Sequence, residues 1–144
     1  MCGSRIPSLH AHNTAAVHHP EEPLGSEVDL PVIGRWHPNV LLIGPSDSNE
    51  RALKALLPWC RTPVYDCDRE FAMPVGEGGT CVLRRIESLN LSEQRILHDW
   101  FSRACGRSQI VSLASPRLFG LVSAGRFDKA LFYRLNVIMM TTGT

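Results

Sequence analysis

The sequence contains no apolar run that approaches the roughly 20 residues a membrane-spanning helix requires. Its first ten residues, MCGSRIPSLH, hold one arginine but no apolar segment of the kind found in secretory signals. Both absences predict a cytoplasmic protein without a membrane partner.

The chain also has almost no net charge, because 15 lysines and arginines nearly balance 14 aspartates and glutamates. A protein that binds nucleic acid or an anionic membrane usually carries a clear excess of basic residues. The composition therefore predicts no direct nucleic-acid partner. With 144 residues, 44% of them hydrophobic, the chain is long enough for one domain with a sizeable core.

The cysteines are odd in number, and no two of them form a C-x-x-C pair. An odd number in a chain expected to stay in a reducing compartment predicts free thiols instead of a disulfide framework. A cysteine inside an apolar run, such as Cys81, is expected to be a small core residue. The five positions are Cys2, Cys60, Cys67, Cys81 and Cys105.

Hydrophobic periodicity is missing from residues 1–36, which contain prolines, glycines and four histidines. This composition predicts a flexible N-terminal arm, followed by an ordered domain over residues 37–144. Imidazoles can bind transition metals, but neither a cysteine nor a helical spacing organises these histidines, so no metal site is expected. The histidines are His10, His12, His18 and His19.

Short apolar runs do occur beyond the arm, and they alternate with amphipathic segments. Continuous runs at 40–43 and 80–83 are typical of strands covered on both faces in a parallel sheet. Gln109–Leu113 is a further strand, with Val64–Tyr65 and Val137–Met140 as shorter candidates. The alternation predicts a three-layer α/β/α domain with a mostly parallel sheet.

Helix signals lie between these strands. An apolar stripe ends at Leu57 before Pro58, and two shorter helices are predicted at Leu118–Val122 and Lys129–Leu135. Asn90 and Glu93 form a capping box in front of the clearest helix. Trp59 and Trp100 are expected in the core. The apolar face predicted for the clearest helix consists of Ile96, Leu97, Trp100, Phe101 and Ala104.

The segment LVSAGRFDKALFYRLNVIMM resembles sigma-54-dependent transcription activators just after their sensor strand, where Gly-Arg-Phe precedes Leu-Tyr-Tyr-Arg-Leu-Asn-Val. Three earlier segments, NVLLIGPSDSNER, GEGGTCVLRRIESLNLSEQRILHDW and GRSQIVSLASPRL, resemble the Walker A region, the Walker B strand and the sensor strand. The likeness is collinear and covers about residues 38–140. It implies a truncated, degenerate member of this bacterial AAA+ family, with a P-loop-like fold. In that family ATP and magnesium drive remodelling of sigma-54 polymerase.

The Walker A positions have lost most of the groups that bind phosphate. A phosphate loop needs glycines for close backbone approach, a lysine for the β- and γ-phosphates and a hydroxyl for magnesium. Glycines are replaced at Asp47 and Asn49, and the lysine is replaced by Glu50. A carboxylate about 4 Å from a phosphate is repelled by about 4 kcal/mol in a partly dry site. The degenerate motif comprises Gly44, Ser46, Asp47, Ser48, Asn49 and Glu50.

Other positions that the resemblance marks as catalytic have changed as well. Arg84 and Arg85 stand where the family has its Walker B acids, and a guanidinium cannot hold magnesium or position an attacking water. The sensor asparagine falls at Ser115, and the first of two arginine fingers falls at Asp128. Neither catalytic residues nor a cofactor, ATP and magnesium included, is therefore expected.

Two expectations concern what replaced this chemistry. Asp47 could cap the following helix while Glu50 returns the bond, and both acids would favour the helix dipole. In addition, since the signs of both Walker motifs are exchanged, Glu50 is predicted to lie within ion-pair distance of Arg84 or Arg85. If it does not, all three are solvated surface charges worth little to stability.

A partner surface is suggested at Phe132, Tyr133 and Arg134, because aromatic residues and arginine are frequent interface anchors. In the family the position of Arg134 acts between subunits of a ring. The flanking Leu131 and Leu135 fit equally well with an ordinary amphipathic helix packed on the core.

Three functions remain open from the sequence. The first is a non-catalytic transcription-regulatory or protein-interaction module, whose partner would be a sigma-54 activator or a polymerase component. The second is a nucleotide-binding sigma-54-dependent regulator. The third is a receiver-like signalling domain, since NVLLIGPSDSNERALKALL also resembles the first strand and helix of response regulators. Arg84 and the stretch Gly44-Pro45-Ser46 stand where a receiver needs its acids, so phosphotransfer is not expected.

Overall fold

The computed structural model describes residues 30–67, 78–104 and 107–143. Five strands form one sheet in the order β2-β3-β4-β1-β5, and every neighbouring pair is parallel. The parallel α/β fold predicted from the sequence is therefore confirmed. The strands are β1 (Val40–Ile43), β2 (Val64–Asp66), β3 (Thr80–Leu83), β4 (Gln109–Ala114) and β5 (Ile138–Thr141).

Helices cover both faces of the sheet. Alternate residues of β1 divide the core, since Leu41 and Ile43 pack with α3, α4 and α5, whereas Val40 and Leu42 pack with α1 and α2. This division is the three-layer arrangement that the sequence predicts. The helices are α1 (Leu30–Trp36), α2 (Ser46–Leu56), α3 (Leu91–Ala104), α4 (Arg117–Ser123) and α5 (Lys129–Leu135), with 3-10 turns at Leu57–Trp59 and Ile86–Ser88.

Strand order separates this fold from a receiver domain. Receiver-like flavodoxin folds place their strands in the order 2-1-3-4-5, with β2 beside β1. Here β3 and β4 lie between β2 and β1, and β5 pairs with the opposite side of β1. The receiver-like interpretation is wrong, because the resemblance rests on one strand and one helix that both folds share.

The capping box of α3 is confirmed. The backbone N–H of Asn90 donates to Glu93 Oε1 at 2.9 Å, and the N–H of Glu93 donates to Asn90 Oδ1 at 2.8 Å. Leu97, Trp100 and Phe101 are buried as expected. Ile96 is 49% exposed, so its assignment to the buried face is wrong, since it lies at the edge of the apolar stripe.

Helix α1 begins before the predicted domain boundary. It lies within the segment interpreted as an arm. Its residue Ile33 is nevertheless fully buried and packs in one cluster with α2 and with Val40 and Leu42 of β1. Trp59 is 37% exposed rather than part of the core, and its ring lies against Gly34 of α1. The four histidines of the predicted arm lie outside the described residues.

The expectation that all cysteines are free thiols is wrong for one pair. Cys67 and Cys81 form a disulfide, with their Cα atoms 6.1 Å apart. The backbone N–H of Cys67 donates to the carbonyl of Val82, which continues the β2–β3 ladder and brings Cys67 beside β3. Cys60 is free, and burial raises the pKa of its thiol to about 11. Cys2 and Cys105 lie outside the described residues.

Candidate functional site

A cleft of about 350 Å³ opens where the carboxyl ends of β1, β3 and β4 meet. We call this side of the sheet the carboxyl edge and the opposite side the amino edge. In open parallel sheets, ligands bind at the carboxyl ends of strands. Most of the degenerate Walker and sensor positions border the cleft. Its lining consists of Gly44, Ser46, Asn49, Glu50, Arg84, Arg85, Glu87, Leu113, Ala114 and Ser115.

The turn after β1 is short. Only Gly44 and Pro45 separate the end of β1 from the first residue of α2. The N–H of Asn49 already donates to the carbonyl of Pro45 at 2.8 Å, as the first intrahelical bond of α2. Proline has no N–H to offer an anion. The stretch that the resemblance aligns with a phosphate loop is therefore mostly helix, since Ser46 to Glu50 belong to α2.

Asn49 occupies the centre of this turn. Its side chain is buried, and Nδ2 donates to the carbonyl oxygens of Gly44 and Ala114, both at 3.1 Å. Its Oδ1 accepts from the hydroxyl of Thr142. One amide group thus joins the β1 turn, the end of β4 and the residue after β5. This network occupies the position where the family has a glycine.

The segment after β5 closes on the same turn. The N–H of Thr142 donates to the carbonyl of Ile43 at 2.8 Å. A Cβ added to Gly44 would collide with the backbone and side chain of Thr142, and one added to Gly143 would lie 2.7 Å from Ser48 Oγ. Gly44 and Gly143 therefore allow the segment after β5 to pack closely on the turn after β1.

The capping arrangement expected for Asp47 and Glu50 is wrong. Helix α2 begins at Ser46, and the residue before it, Pro45, provides no side-chain cap. Asp47 Oδ1 instead accepts from the N–H of Ser48 at 2.9 Å, which satisfies one unpaired donor of the first turn. Glu50 makes no bond back to the helix start, because its carboxylate is held by another partner.

That partner is Arg84, and the expected ion pair is confirmed. Arg84 Nε lies 2.6 Å from Glu50 Oε2, and its Nη2 lies 3.3 Å from Glu50 Oε1. The Nη1 of Arg84 donates to both carboxylate oxygens of Asp66 at 2.9 Å. The hydrogen bond to Glu50 is the largest cause that raises the pKa of Arg84. Two carboxylates, one from α2 and one from β2, thus share the single guanidinium of Arg84, which directly follows β3.

Arg85 and Ser115 complete the predicted positions. Arg85 is exposed and has a left-handed backbone with φ of 52°, and among the described residues the ion-pair partner of Glu50 is Arg84, not Arg85. At Ser115 the backbone N–H donates to Glu87 Oε1, and the hydroxyl accepts from the N–H of Arg117, both at 3.3 Å. The sensor position is thus engaged in local hydrogen bonds.

The three residues suggested as a partner surface do not face solvent together. Phe132 is buried, and the guanidinium carbon of Arg134 lies 5.4 Å from the centre of the Phe101 ring. Tyr133 alone of the three is largely exposed. Phe119 of α4 contacts Phe132 edge-on and is also partly exposed. Core packing therefore accounts for Phe132, and the exposed aromatic surface consists of Tyr133 and Phe119.

The described part of the chain was also searched for a metal site and for a membrane-spanning helix. Within residues 30–67, 78–104 and 107–143, no three His, Cys, Asp or Glu side chains are grouped as metal ligands would be. No helix in those ranges is both long enough and apolar enough to cross a membrane.

Comparison with known proteins identifies the fold but no family. No protein-family model matches the chain, and no curated protein matches its sequence. Among solved structures, the crystal structure of NtrX from Brucella abortus in complex with ATP aligns with a TM-score of 0.64 at 18% identity. Its complex with ADP aligns with a TM-score of 0.62 at 16% identity. Each match covers 78% of this chain and about a third of NtrX, namely 35% and 33%.

Sequence reasoning missed the contacts that three residues of the site make. At Asn49 the sequence shows the replacement of a motif glycine. The side-chain amide of asparagine also has two N–H donors, which is the signal that it could bridge two carbonyl oxygens. Asp66 is the last residue of the three-residue strand β2, and the pairing of β2 with β3 brings it to Arg84. Thr142 gave no signal, since its contact depends on β5 pairing with β1.

Proposed function

We propose that this chain is a non-catalytic transcription-regulatory or protein-interaction module, distantly related to the AAA+ domain of sigma-54-dependent regulators, that has lost ATP binding and hydrolysis. The observation that carries the proposal is the Glu50–Arg84–Asp66 arrangement at the carboxyl edge. Both the sequence resemblance and the structural similarity to NtrX support the distant relationship.

Electrostatics argue against a triphosphate in the cleft. An entering nucleotide would have to separate Glu50 from Arg84 or accept a carboxylate beside its phosphates, which costs about 4 kcal/mol at 4 Å in a partly dry site. Breaking the half-buried ion pair adds to this cost, because charge-assisted hydrogen bonds are among the stronger ones.

Packing argues in the same direction. A nucleotide over the β1 turn would have to displace Asn49 from two carbonyls, or the Thr142–Gly143 segment from the turn. Each buried polar group left without its partner costs about 1–3 kcal/mol. The module therefore acts through its surface, with a sigma-54 activator or a polymerase component as the partner.

Isothermal titration with ATP and magnesium tests the loss of nucleotide binding, with NtrX as the positive control since it has been crystallised with ATP. We expect no saturable heat for this chain at 1 mM nucleotide and measurable binding for NtrX. Magnesium-dependent binding below about 10 μM, near −7 kcal/mol, would refute the proposal. It would instead support the nucleotide-binding regulator, which the ATP-bound and ADP-bound neighbours keep as the second candidate.

A mixing experiment tests the partner. The ATPase rate of an intact sigma-54 activator would be measured with increasing amounts of this chain. We expect the rate to change in proportion to complex formed, and the Tyr133→Ala variant, which removes the most exposed aromatic of α5, to weaken the effect. The Ile96→Ala variant is the matched control, because Ile96 is also exposed but lies on α3. No effect of the wild type at any ratio would exclude this class of partner.

A further inference from the structure

The sheet ends in two outermost strands, β2 and β5. Within residues 30–67, 78–104 and 107–143, each of them pairs with a neighbouring strand on one side only. The other side of such a strand presents unpaired backbone N–H and C=O groups, which are a template for pairing with another chain. Proteins usually protect an outermost strand with charged side chains, proline, a bulge or a very short length. The two outermost strands here differ in this protection.

Strand β2 is protected. It is only three residues long, from Val64 to Asp66, and it directly follows Pro63. Its last residue carries a charge, which pairs with Arg84 of the same sheet. A short strand with a proline before it and a carboxylate at its end is poorly suited to accept a further strand.

Strand β5 has none of these features. The segment VIMMTT, residues 137–142, contains no charged residue, no proline and no glycine. Its pairing with β1 runs without interruption from Ile138 to Thr141. The side chain of Met139 is 42% exposed although it is apolar, and Thr141 is exposed as well. This strand is therefore open to pairing with another extended segment.

The backbone hydrogen bonds of β5 show which of its groups are available. The N–H groups of Ile138 and Thr142 donate to carbonyl oxygens of the β1 segment at 3.1 and 2.8 Å. Backbone groups alternate in direction along a strand, so every second residue of β5 points its N–H and C=O away from β1. We call this the outer side of β5. The residues that face it are Val137, Met139 and Thr141.

The outer side of β5 is complementary to a second copy of itself. If two β5 strands run antiparallel about a two-fold axis at Met139, this residue faces its own copy, and Val137 faces Thr141 of the second copy. All three positions are then hydrogen-bonded pairs, because their backbone groups already point outward, and they exchange about six N–H···O=C bonds. A two-fold axis makes such an interface self-complementary, with the same surface on both chains.

Side-chain charge and contact size also fit a second copy. An antiparallel pair about a two-fold axis brings side chains near their own copies, so a charged residue in this strand would meet a like charge, which is destabilising. The segment VIMMTT contains no charge. The two Met139 side chains would lie on one face of the joined sheet and cover each other's apolar surface. One strand from each chain is a small contact beside the standard interface of about 1,600 Å², so the dimer should form in the micromolar range.

We propose that the outer side of β5 joins two copies of this chain into a weak, two-fold symmetric dimer, in which their two sheets become one continuous sheet. The residues that line the cleft are all outside β5. The inference is therefore independent of the proposed function.

Sedimentation equilibrium of the full chain between about 1 and 500 μM tests the proposal. The average mass should rise with concentration from 16.0 kDa toward twice that value. Met139→Lys should raise the dissociation constant about tenfold or more, because two ammonium groups would meet at the axis and the apolar contact would be lost. The matched control is Val64→Lys on β2, since Val64 is 40% exposed, and it should leave the dissociation constant unchanged.

Thr141→Pro tests the backbone pairing separately from side-chain charge. It removes an N–H that faces outward, so pairing with β1 and the urea midpoint of unfolding should be preserved while the dimer weakens about tenfold. Amide hydrogen exchange followed by NMR gives a direct readout. On dilution, exchange should accelerate at Met139 and Thr141 but not at Ile138 and Met140, which bond to β1.

Three results would overturn the proposal. They are a monomeric mass at every concentration, an equal effect of Val64→Lys and Met139→Lys, and dimerisation that Thr141→Pro leaves unchanged. A monomer in which the amides of Met139 and Thr141 are nevertheless protected would assign the outer side of β5 to another segment of the same chain.

Discussion

The two edges of the sheet are held by different kinds of side-chain contact. At the carboxyl edge, Glu50 and Asp66 hold one guanidinium, that of Arg84, and neutral groups around Asn49 fill the turn beside them. At the amino edge, the buried side chain of Gln109 accepts from the backbone N–H of Arg61 and donates to the carbonyl of Pro38, so one neutral amide joins the segments that precede β1 and β2 to the start of β4. Charged side chains thus meet across an open cleft at the first edge, whereas a buried neutral group joins the segments at the second. Position at a strand end therefore does not by itself identify a binding site.

The largest expected effect on stability concerns the turn after β1, where the backbone of Gly44 packs directly on that of Thr142. Gly44→Ala should destabilise the protein by about 3 kcal/mol, because its Cβ would collide with Thr142 and overpacking has this cost. Urea unfolding measures the change. Gly120→Ala is the control, since nothing lies within 4 Å of that Cβ and a helical alanine should stabilise by about 0.5–1 kcal/mol. Equal effects of both variants would mean that the turn is loosely packed.

Asn49 tests whether the turn depends on its hydrogen bonds. Asn49→Ala should cost about 2 kcal/mol, because two carbonyls and the Thr142 hydroxyl each lose a buried partner. Asn49→Asp should cost at least as much, since a carboxylate of the same size cannot donate to carbonyls. Chemical denaturation measures both variants. A neutral Asn49→Asp would show that the side chain fills space without bonding.

The ion pair should contribute less than this packing. A double-mutant cycle of Glu50→Gln and Arg84→Gln should give a coupling of about 1 kcal/mol, larger than for a typical exposed pair because the contact is bidentate and half-buried. The coupling should fall as salt increases. The exposed pair Asp47–Arg51, at 3.9 Å, is the matched control and should couple by less. If the two cycles agreed, Glu50 and Arg84 would be ordinary surface charges.

The smallest expected effect is the pH response of His37 at the amino edge. Burial, and then the charge of Arg61, lowers the pKa of His37 below its usual 6.5. The unfolded chain therefore binds the proton more readily than the folded chain. The stability that neutral His37 contributes above pH 6.5 is lost as the pH falls below 6.5 toward the lower pKa of the folded state. His37→Asn should reduce the loss of stability between pH 7.5 and 5.5, since asparagine tolerates the positive φ of 52°. An unchanged profile would mean that neither burial nor Arg61 affects the protonation of His37.

Much of the fold could be predicted from local pattern. Apolar runs located β1, β3 and β4, and the Asn90–Glu93 capping box located the start of α3, because these signals depend on neighbouring residues alone. The Glu50–Arg84 pair could also be predicted, since the resemblance aligns both residues with groups that meet at one site. Those predictions succeeded because a local pattern or an aligned family motif was sufficient to make them.

The remaining features depend on contacts between distant segments. The Cys67–Cys81 disulfide, the approach of Asp66 to Arg84 and the cover that Thr142 provides all follow from strand order. The Asp47–Glu50 capping box failed because a tertiary partner competed for the Glu50 carboxylate. Exposure of Trp59 was missed because the turn after α2 directs the ring onto Gly34 at the surface.

The most direct measurement is a crystal structure of the protein grown with a non-hydrolysable ATP analogue and magnesium at millimolar concentration. The account predicts that Glu50 and Arg84 remain in contact, that Asn49 keeps both carbonyls, and that no nucleotide lies in the cleft. Phosphates seated over the Gly44–Pro45 turn, with Arg84 moved from Glu50 onto the nucleotide, would contradict it.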